Sequence, residues 1–538
     1  MKIKGNYKIP VLFLGLVFLT YNALGQDIPK AIPNLPKNWH QLDYNTDGYY
    51  GINLYKAYDF LKGKKNKTVV VTTIDSGIDT LQKDLVNILW VNPKSKSGNG
   101  FMNDKYGWDF LGGKDGKVDY TETTEEVRQY NKLKNTYLNI TVPIPGKEKE
   151  FSFWQKVKST YDSTLSKDHN EMIEVSMELN ALTGTNYFIK RELKLKADET
   201  FNQADLARIT TNNDTLVQSR TIWETVFGAT GDGTNNAKVL KELTDYYAKL
   251  NNDLTPDLES RSRIIGDDPD VNDGKPYGNN ILKTPDASHG TGVAGLIGAE
   301  RNNGYGIDGV ADNVRIMAIK AVPNGDEYDK DVANAIRYAV DNGAKVINMS
   351  FGKRISPHKD WVDAAFKYAA EKDVLLVMAA GNENQDVDQN PEFPNDLYLD
   401  GTTTDNLISV GASGPKLDEN LAASFSNYGK NNVDVFAPGV KVTSIDMDAE
   451  FNTADGTSFA SPIVAGLAAL ILEYYPNLSA RQVKKAILDS VKPLTGVLVI
   501  KPGSRDEKVD FTSLSKTGGI VNAYNALIIA SKMKGERK

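Results

Sequence analysis

The 538-residue chain has 40% hydrophobic and 25% charged residues, a formal net charge of −7 and no cysteine. That length and apolar share can bury a large core and leave room for more than one domain. The acidic balance gives no electrostatic basis for holding nucleic acid, and the lack of cysteine excludes a disulfide framework and a lipid-bearing cysteine behind a leader.

Residues 1–25 carry Lys2, Lys4 and Lys8 ahead of an apolar run over 9–19 and Ala23-Leu24-Gly25 before Gln26. This is the pattern of a cleaved secretory signal peptide. A membrane anchor fits less well, because the run falls short of the roughly 20 residues a span needs and Asn22 and Gly25 interrupt it. The expectation is export from a bacterium, to the periplasm or outside the cell, with no stable membrane anchor once the leader is gone. Residues 26–50 form a short leader with Pro29, Pro33 and Pro36, too short for a folded domain.

From residue 51 the pattern turns regular. A helix is expected over 56–61, then a strand over 69–74, whose valine-rich run reads as a buried parallel strand. It ends in Asp75-Ser76-Gly77, at the carboxyl end of the sheet, where open α/β folds build their sites. Residues 115–255 then change character, becoming charged and rich in Tyr and Asn. Amphipathic helices are predicted over 151–180, 192–209, 217–227 and 238–251, joined by Asn/Asp/Gly turns. This is a helical insertion domain, with three roles open to it: a cap over a cleft, a partner-docking surface, or a peripheral decoration. Two oxygen-rich stretches flank it, Asn99, Asn103 and Asp104 before and Asp267, Asp268, Asp270, Asn272 and Asp273 after. Such loops suit structural Ca²⁺ and equally form solvated acidic surface, so no ligands are assigned.

His289 follows in SHGTGVAGLIGA. Strands over 314–319 and 345–349, separated by an amphipathic helix over 331–342, give the βαβ rhythm of a mostly parallel sheet covered by helices on both faces. The second strand runs into Ser350-Phe351-Gly352, and a further strand over 374–378 runs into Ala379-Ala380-Gly381-Asn382. Finally, DGTSFASPIVAGLAAL places Ser458 at the amino end of a buried apolar helix over 459–472, with Pro462 expected in its first turn.

Asp75, His289 and Ser458 are the residue types that nucleophilic acyl transfer requires. A serine hydroxyl is a weak nucleophile until a histidine takes its proton, and an aspartate must hold that histidine in the right tautomer. With these segments in this order, the chain resembles the subtilisin-like serine proteases, the subtilases, over about 51–113 and 277–530. The resemblance implies that Ser458 attacks, His289 shuttles the proton and Asp75 orients it. Asn382 and the Ser458 N–H would hold the oxyanion. Ser350-Phe351-Gly352 and Ala379-Ala380-Gly381 would flank the substrate backbone, and the substrates would be proteins or peptides. No cofactor is needed for the chemistry, although many members use structural calcium.

Three departures stand out. Gly292 replaces the His or Arg common after His-Gly-Thr and is expected to loosen the packing beneath the base. Phe459 replaces the Met that usually follows the serine, and Phe351 a common leucine. An alternative function is a secreted binding or scaffold protein on this fold whose site the insertion blocks.

Overall fold

The structure is a computed structural model that describes residues 35–94, 100–230 and 234–537. The expected signal peptide, residues 26–34 of the short leader and Asn99 lie outside the described residues. The chain divides into two compact units, one comprising Pro36–Gln129 with Asp257–Lys538 and the other built on Tyr130–Pro256. In chain order, helix α1 (Leu54–Leu61) precedes strands β1 (Val69–Asp75) and β2 (Gly107–Asp109). Helices α2 (Glu125–Tyr137), α3 (Glu148–Glu192), α4 (Asp214–Thr230), α5 (Asn236–Leu254) and α6 (Ser288–Gly298) follow. Strand β3 (Val314–Lys320), helix α7 (Asp329–Asp341), β4 (Val346–Met349), α8 (Lys359–Glu371) and β5 (Leu375–Ala379) then alternate. Strands β6 (Leu407–Ser413) and β7 (Val435–Pro438) and helices α9 (Thr457–Tyr474), α10 (Ala480–Asp489) and α11 (Ala523–Ala530) are the main elements that follow.

The larger unit is an α/β fold around a seven-stranded sheet in the order β2-β3-β1-β4-β5-β6-β7, every neighbouring pair parallel. After β1 the chain fills the β3 side, then crosses to β4 on the other. The reversal opens a crevice at the carboxyl end of β1, as such sheets do at a switch point. Register aligns the edge: Ile74 sits beside Met349 and Met349 beside Met378, so Asp75, Ser350 and Ala379 leave the sheet together.

The alternation of side chains along β4 and β5 assigns the two faces. Ile347, Met349, Leu376 and Met378 join the buried cluster of Ile336, Ala339, Phe366 and Ala369 from α7 and α8. Asn348 points the other way and donates to the Ser350 hydroxyl, which meets Ser461 of α9. Helix α9 is apolar on every side because it is buried on nearly every side.

In the smaller unit, α3 runs unbroken from Glu148 to Glu192, twelve residues beyond the expected end at 180, supported by the i,i+4 pairs Lys158–Asp162 and Lys167–Glu171. The helix predicted over 192–209 does not form. The chain turns at Lys194, which has a φ of +57°, and only Gln203–Leu206 is helical, closed by a capping box on Asn202. The apolar residues of that stretch mimic helical spacing for another reason: the turn lets Phe201 pack edge-on against Trp223 in a cluster with Leu182, Ile189 and Phe227.

Residues 115–129, grouped with the insertion by composition, belong to the larger unit. Within that unit the two chain segments bordering Tyr130–Pro256 are each tied down by a buried arginine. Arg128 bonds the Thr123 and Asp326 carbonyls and Glu125, and Arg261 makes a two-pronged pair with Asp331 and another with Asp267. Both guanidinium groups lie against the Tyr328 ring, 4.0 and 4.3 Å from its centroid, a cation–π contact made twice.

Candidate active site

Asp75 closes β1 and is 2% exposed. Its Oδ1 accepts the Ser76 N–H at 2.8 Å and lies 2.7 Å from His289 Nδ1. His289 sits in the first turn of α6, and Gly290 brings that turn close enough to β1. A Cβ there would lie 2.0 Å from the Gly77 carbonyl oxygen and 3.2 Å from Asp75 Cβ, so any side chain would push His289 off its partner. The imidazole feels two opposed effects: burial disfavours its charge, but the charge and hydrogen bond of Asp75 outweigh this and raise its pKa above the ordinary value.

A second charge is built in behind this pair. Lys320 ends β3 in register with Asp75 and is 0% exposed. Its ammonium donates to the Ser76 carbonyl at 2.7 Å and to Asp286 at 2.6 Å, tying the turn after Asp75 to the approach of α6. Lys320→Met removes the ammonium and strands the Asp286 carboxylate and the Ser76 carbonyl. The expected loss is about 3–5 kcal/mol, read as a lower denaturant midpoint.

Ser458 is the second residue of α9, half-buried, with its hydroxyl donating to the Ser350 carbonyl at 3.2 Å. Among the described residues no hydrogen bond joins Ser458 to His289, so a turn about its Cα–Cβ bond is needed to present the hydroxyl to the imidazole. Pro462 lies in the second turn of α9, not the first. Its missing N–H leaves the Ser458 carbonyl without the usual helical donor, and the Ser350 hydroxyl fills that place at 3.0 Å. The Ser350 side chain is thus a brace beneath the serine, while its carbonyl faces the hydroxyl.

Asn382 follows β5 and is held by the start of α9. Its Oδ1 accepts the Thr457 N–H and hydroxyl, both at 2.9 Å. A backbone N–H can only donate, which fixes the amide orientation and leaves Nδ2 as the free donor. Phe351, Gly352, Ala379, Ala380 and Gly381 line a cavity of about 150 Å³ with Asn382, Thr457 and Ser458. Ser350 is outside its lining.

Gly292 does not loosen the site. Its would-be Cβ lies 3.4 Å from the Ile445 carbonyl oxygen and 3.6 Å from the Phe459 ring, and Phe459 also stands edge-on to the His289 ring at 6.0 Å. The two departures are one packing solution, with the larger Phe459 filling the space beside the smaller Gly292. In the acidic stretch over 267–273, Asp267 is held by Arg261 and Lys330, Asp270 pairs with His358 and Asp273 with Lys275. Among the described residues no group of three or more His, Cys, Asp or Glu side chains could hold a metal.

The arrangement joins a serine at a helix amino end, a carboxylate-held imidazole and an amide donor around one crevice. The family model described as "Subtilase family" matches residues 66–518. The chain belongs to the subtilase family. It is 41% identical to the thermophilic serine proteinase of Bacillus sp. strain AK1 over 38% of this chain and 47% of that protein. To the cell wall-associated protease of Bacillus subtilis strain 168 it is 28% identical over 68% of this chain and 37% of that one. Subtilisin DY of Bacillus licheniformis is 39% identical over 37% of this chain and 68% of its own length. This subtilase thus spans less than half the length of the first two curated relatives it matches.

Three residues of the subtilase site escape sequence reasoning. Thr457, which orients Asn382, reads as an ordinary residue before a helix. Lys320 does leave a trace, as a lysine closing an apolar strand. Glu392, which also lines the cavity, stands in an irregular segment with no periodicity to place it.

Proposed function

We propose that this subtilase is an exported serine endopeptidase that cleaves protein or peptide substrates through an acyl-enzyme. The observation that carries this is the His289–Asp75 pair at 2.7 Å, set on the same sheet edge as a cavity that Ser458 lines. In this mechanism His289 takes the Ser458 proton as the hydroxyl attacks the peptide carbonyl, and Asp75 stabilises the imidazolium. The Asn382 amide and the Ser458 N–H, at the positive end of α9, receive the developing oxyanion. His289 then protonates the leaving amine, and water activated by the same imidazole releases the acyl group.

Asn382→Ala is expected to reduce kcat by about 10²–10³-fold with little change in KM, as removal of the corresponding subtilisin donor does, because the amide meets its acceptor only in the transition state. Export is supported by the charged and apolar pattern of residues 1–25, and processing at that segment is tested by amino-terminal sequencing of protein from the culture. The deciding experiment for the activity is labelling by a fluorophosphonate, together with hydrolysis of denatured casein. Labelling and hydrolysis that both vanish in Ser458→Ala support the proposal. A folded chain that neither labels nor hydrolyses is a binding protein on a subtilase fold.

A further inference from the structure

Helix α6 begins without a cap of its own. Its N-cap residue is Ala287, which offers no side-chain acceptor to the N–H groups of the first turn, yet His289 sits in that turn. Contacts from elsewhere in the larger unit hold the turn in place. The Ser76 hydroxyl accepts the Gly290 N–H at 3.2 Å, and the Ser288 hydroxyl donates to Asp446 Oδ1 at 2.6 Å. A carboxylate beside a helix amino end also meets the positive end of the helix dipole.

Asp446 stands in the turn of a hairpin formed by β8 (Val442–Ile445) and β9 (Phe451–Ala454), which runs through Asp455 and Gly456 directly into Thr457 and Ser458. Strand β8 lies along α6. The Ser444 hydroxyl donates to the Gly292 carbonyl at 2.7 Å, and a Cβ on Gly295 would lie 2.5 Å from Ile445 Cγ1, so this approach needs glycine. Asp446 itself is fixed at three further points. Its N–H donates to the Glu450 carbonyl at 2.8 Å, its carbonyl accepts the Gln82 amide at 3.0 Å, and its Oδ1 accepts the Met447 N–H at 2.7 Å. The neighbouring latch is weaker: Lys283 joins Asp79 to Asp448, but the Asp448 side chain is 73% exposed, and water screens such a pair.

We propose that Asp446, acting through Ser288, is a positioning residue for the base: the hairpin that leads into the nucleophile also anchors the turn that carries His289. The inference rests on the serine-endopeptidase reading of the same site. Ser458 must turn about its Cα–Cβ bond to meet the imidazole, and the proton moves only if His289 waits within hydrogen-bonding reach. A misplacement of about 1 Å, caused by a change far from the chemistry, can cost about 10²-fold in rate. Asp446 and Ser288 do not line the cavity beside Ser458. Their loss therefore acts on kcat and leaves KM in place.

The full chain is assayed on a peptide p-nitroanilide beside D446A, S288A, the double variant and D446N. D446A and S288A are each expected to lower kcat by about 10–100-fold with KM unchanged. The double variant loses no more than the larger single one, because the two side chains form one link. D446N keeps an oxygen acceptor for the Ser288 hydroxyl and regains most of the activity. Asp448→Asn, which touches only the exposed latch, leaves kcat within about threefold of the parent. A kcat in folded D446A or S288A inside that same range, losses that add in the double variant, or a D446N as slow as D446A overturns the proposal. S288A decides it if D446A does not fold, since that variant loses only a hydroxyl. Fluorophosphonate labelling separates the two readings. A parent that labels at Ser458, with D446A and S288A labelling equally fast, refutes the positioning role alone, whereas a folded parent that neither labels nor cleaves refutes the protease itself.

Discussion

Ser458→Ala is expected to lower kcat for peptide hydrolysis by about 10⁶-fold, the order of loss known when the nucleophile of subtilisin is removed. The size of this effect follows from how the site is built. In the proposed mechanism the serine, imidazole and carboxylate act as a unit, so removing the attacking atom also idles His289 and Asp75. The residual rate comes from the Asn382 amide and the substrate walls alone. Stability is expected to change by only about 1 kcal/mol, because the Ser458 hydroxyl makes one partly exposed hydrogen bond, to the Ser350 carbonyl. Active-site titration beside a thermal melt checks both halves. A loss below about tenfold in a folded variant would place the chemistry on another residue.

Asp75→Asn should cost about 10⁴-fold in kcat, because the amide presents the wrong hydrogen-bonding partner to Nδ1 and favours the wrong imidazole tautomer. It should also move the pH profile. In the parent Asp75 raises the His289 pKa, so kcat/KM falls on the acid side as the pH drops through that raised value and the base becomes protonated. Without the carboxylate only burial remains, and the acid limb shifts to lower pH. For stability the sign is reversed. A histidine whose pKa is raised on folding contributes stability that is fully present below its unfolded value and is lost as pH rises through the folded one. The parent therefore loses this contribution above the raised value, and Asp75→Asn removes that part of the pH dependence. A kcat/KM profile whose acid limb stays in place in the variant would show that Asp75 does not set the base.

The parts of the molecule legible in advance are those where a single physical pattern decides. The β-branched run of β1 could only be a buried strand, and the uniformly apolar 459–472 only a buried helix, so Asp75 and Ser458 are placed by periodicity. The stretch 192–209 shows the limit of that signal. Its apolar residues recur at helical spacing because Leu193 and Phe201 reach one core from either side of the turn at Lys194, and no local rule separates that from a helix. Gly292 shows a related limit. Its own helix propensity is readable, whereas the Phe459 ring that fills the space arrives from a segment distant in sequence. Glu392 and Lys320 matter through contacts made across the fold, and such contacts leave little or no periodicity to detect.

The paired arginines on Tyr328 bear on how such a chain is assembled and altered. Because Arg128 and Arg261 grip one ring, the points where the polypeptide departs for Tyr130–Pro256 and returns from it are pinned together by the α/β unit alone. The cost of closing a loop grows only as the logarithm of its length, about 0.6 kcal/mol per doubling. Such a junction therefore tolerates exchange of what it carries: the excursion can lengthen, shrink or be replaced by an unrelated module while the sheet edge bearing Asp75, Ser350 and Ala379 keeps its register. Tyr328 is then the residue on which that freedom depends.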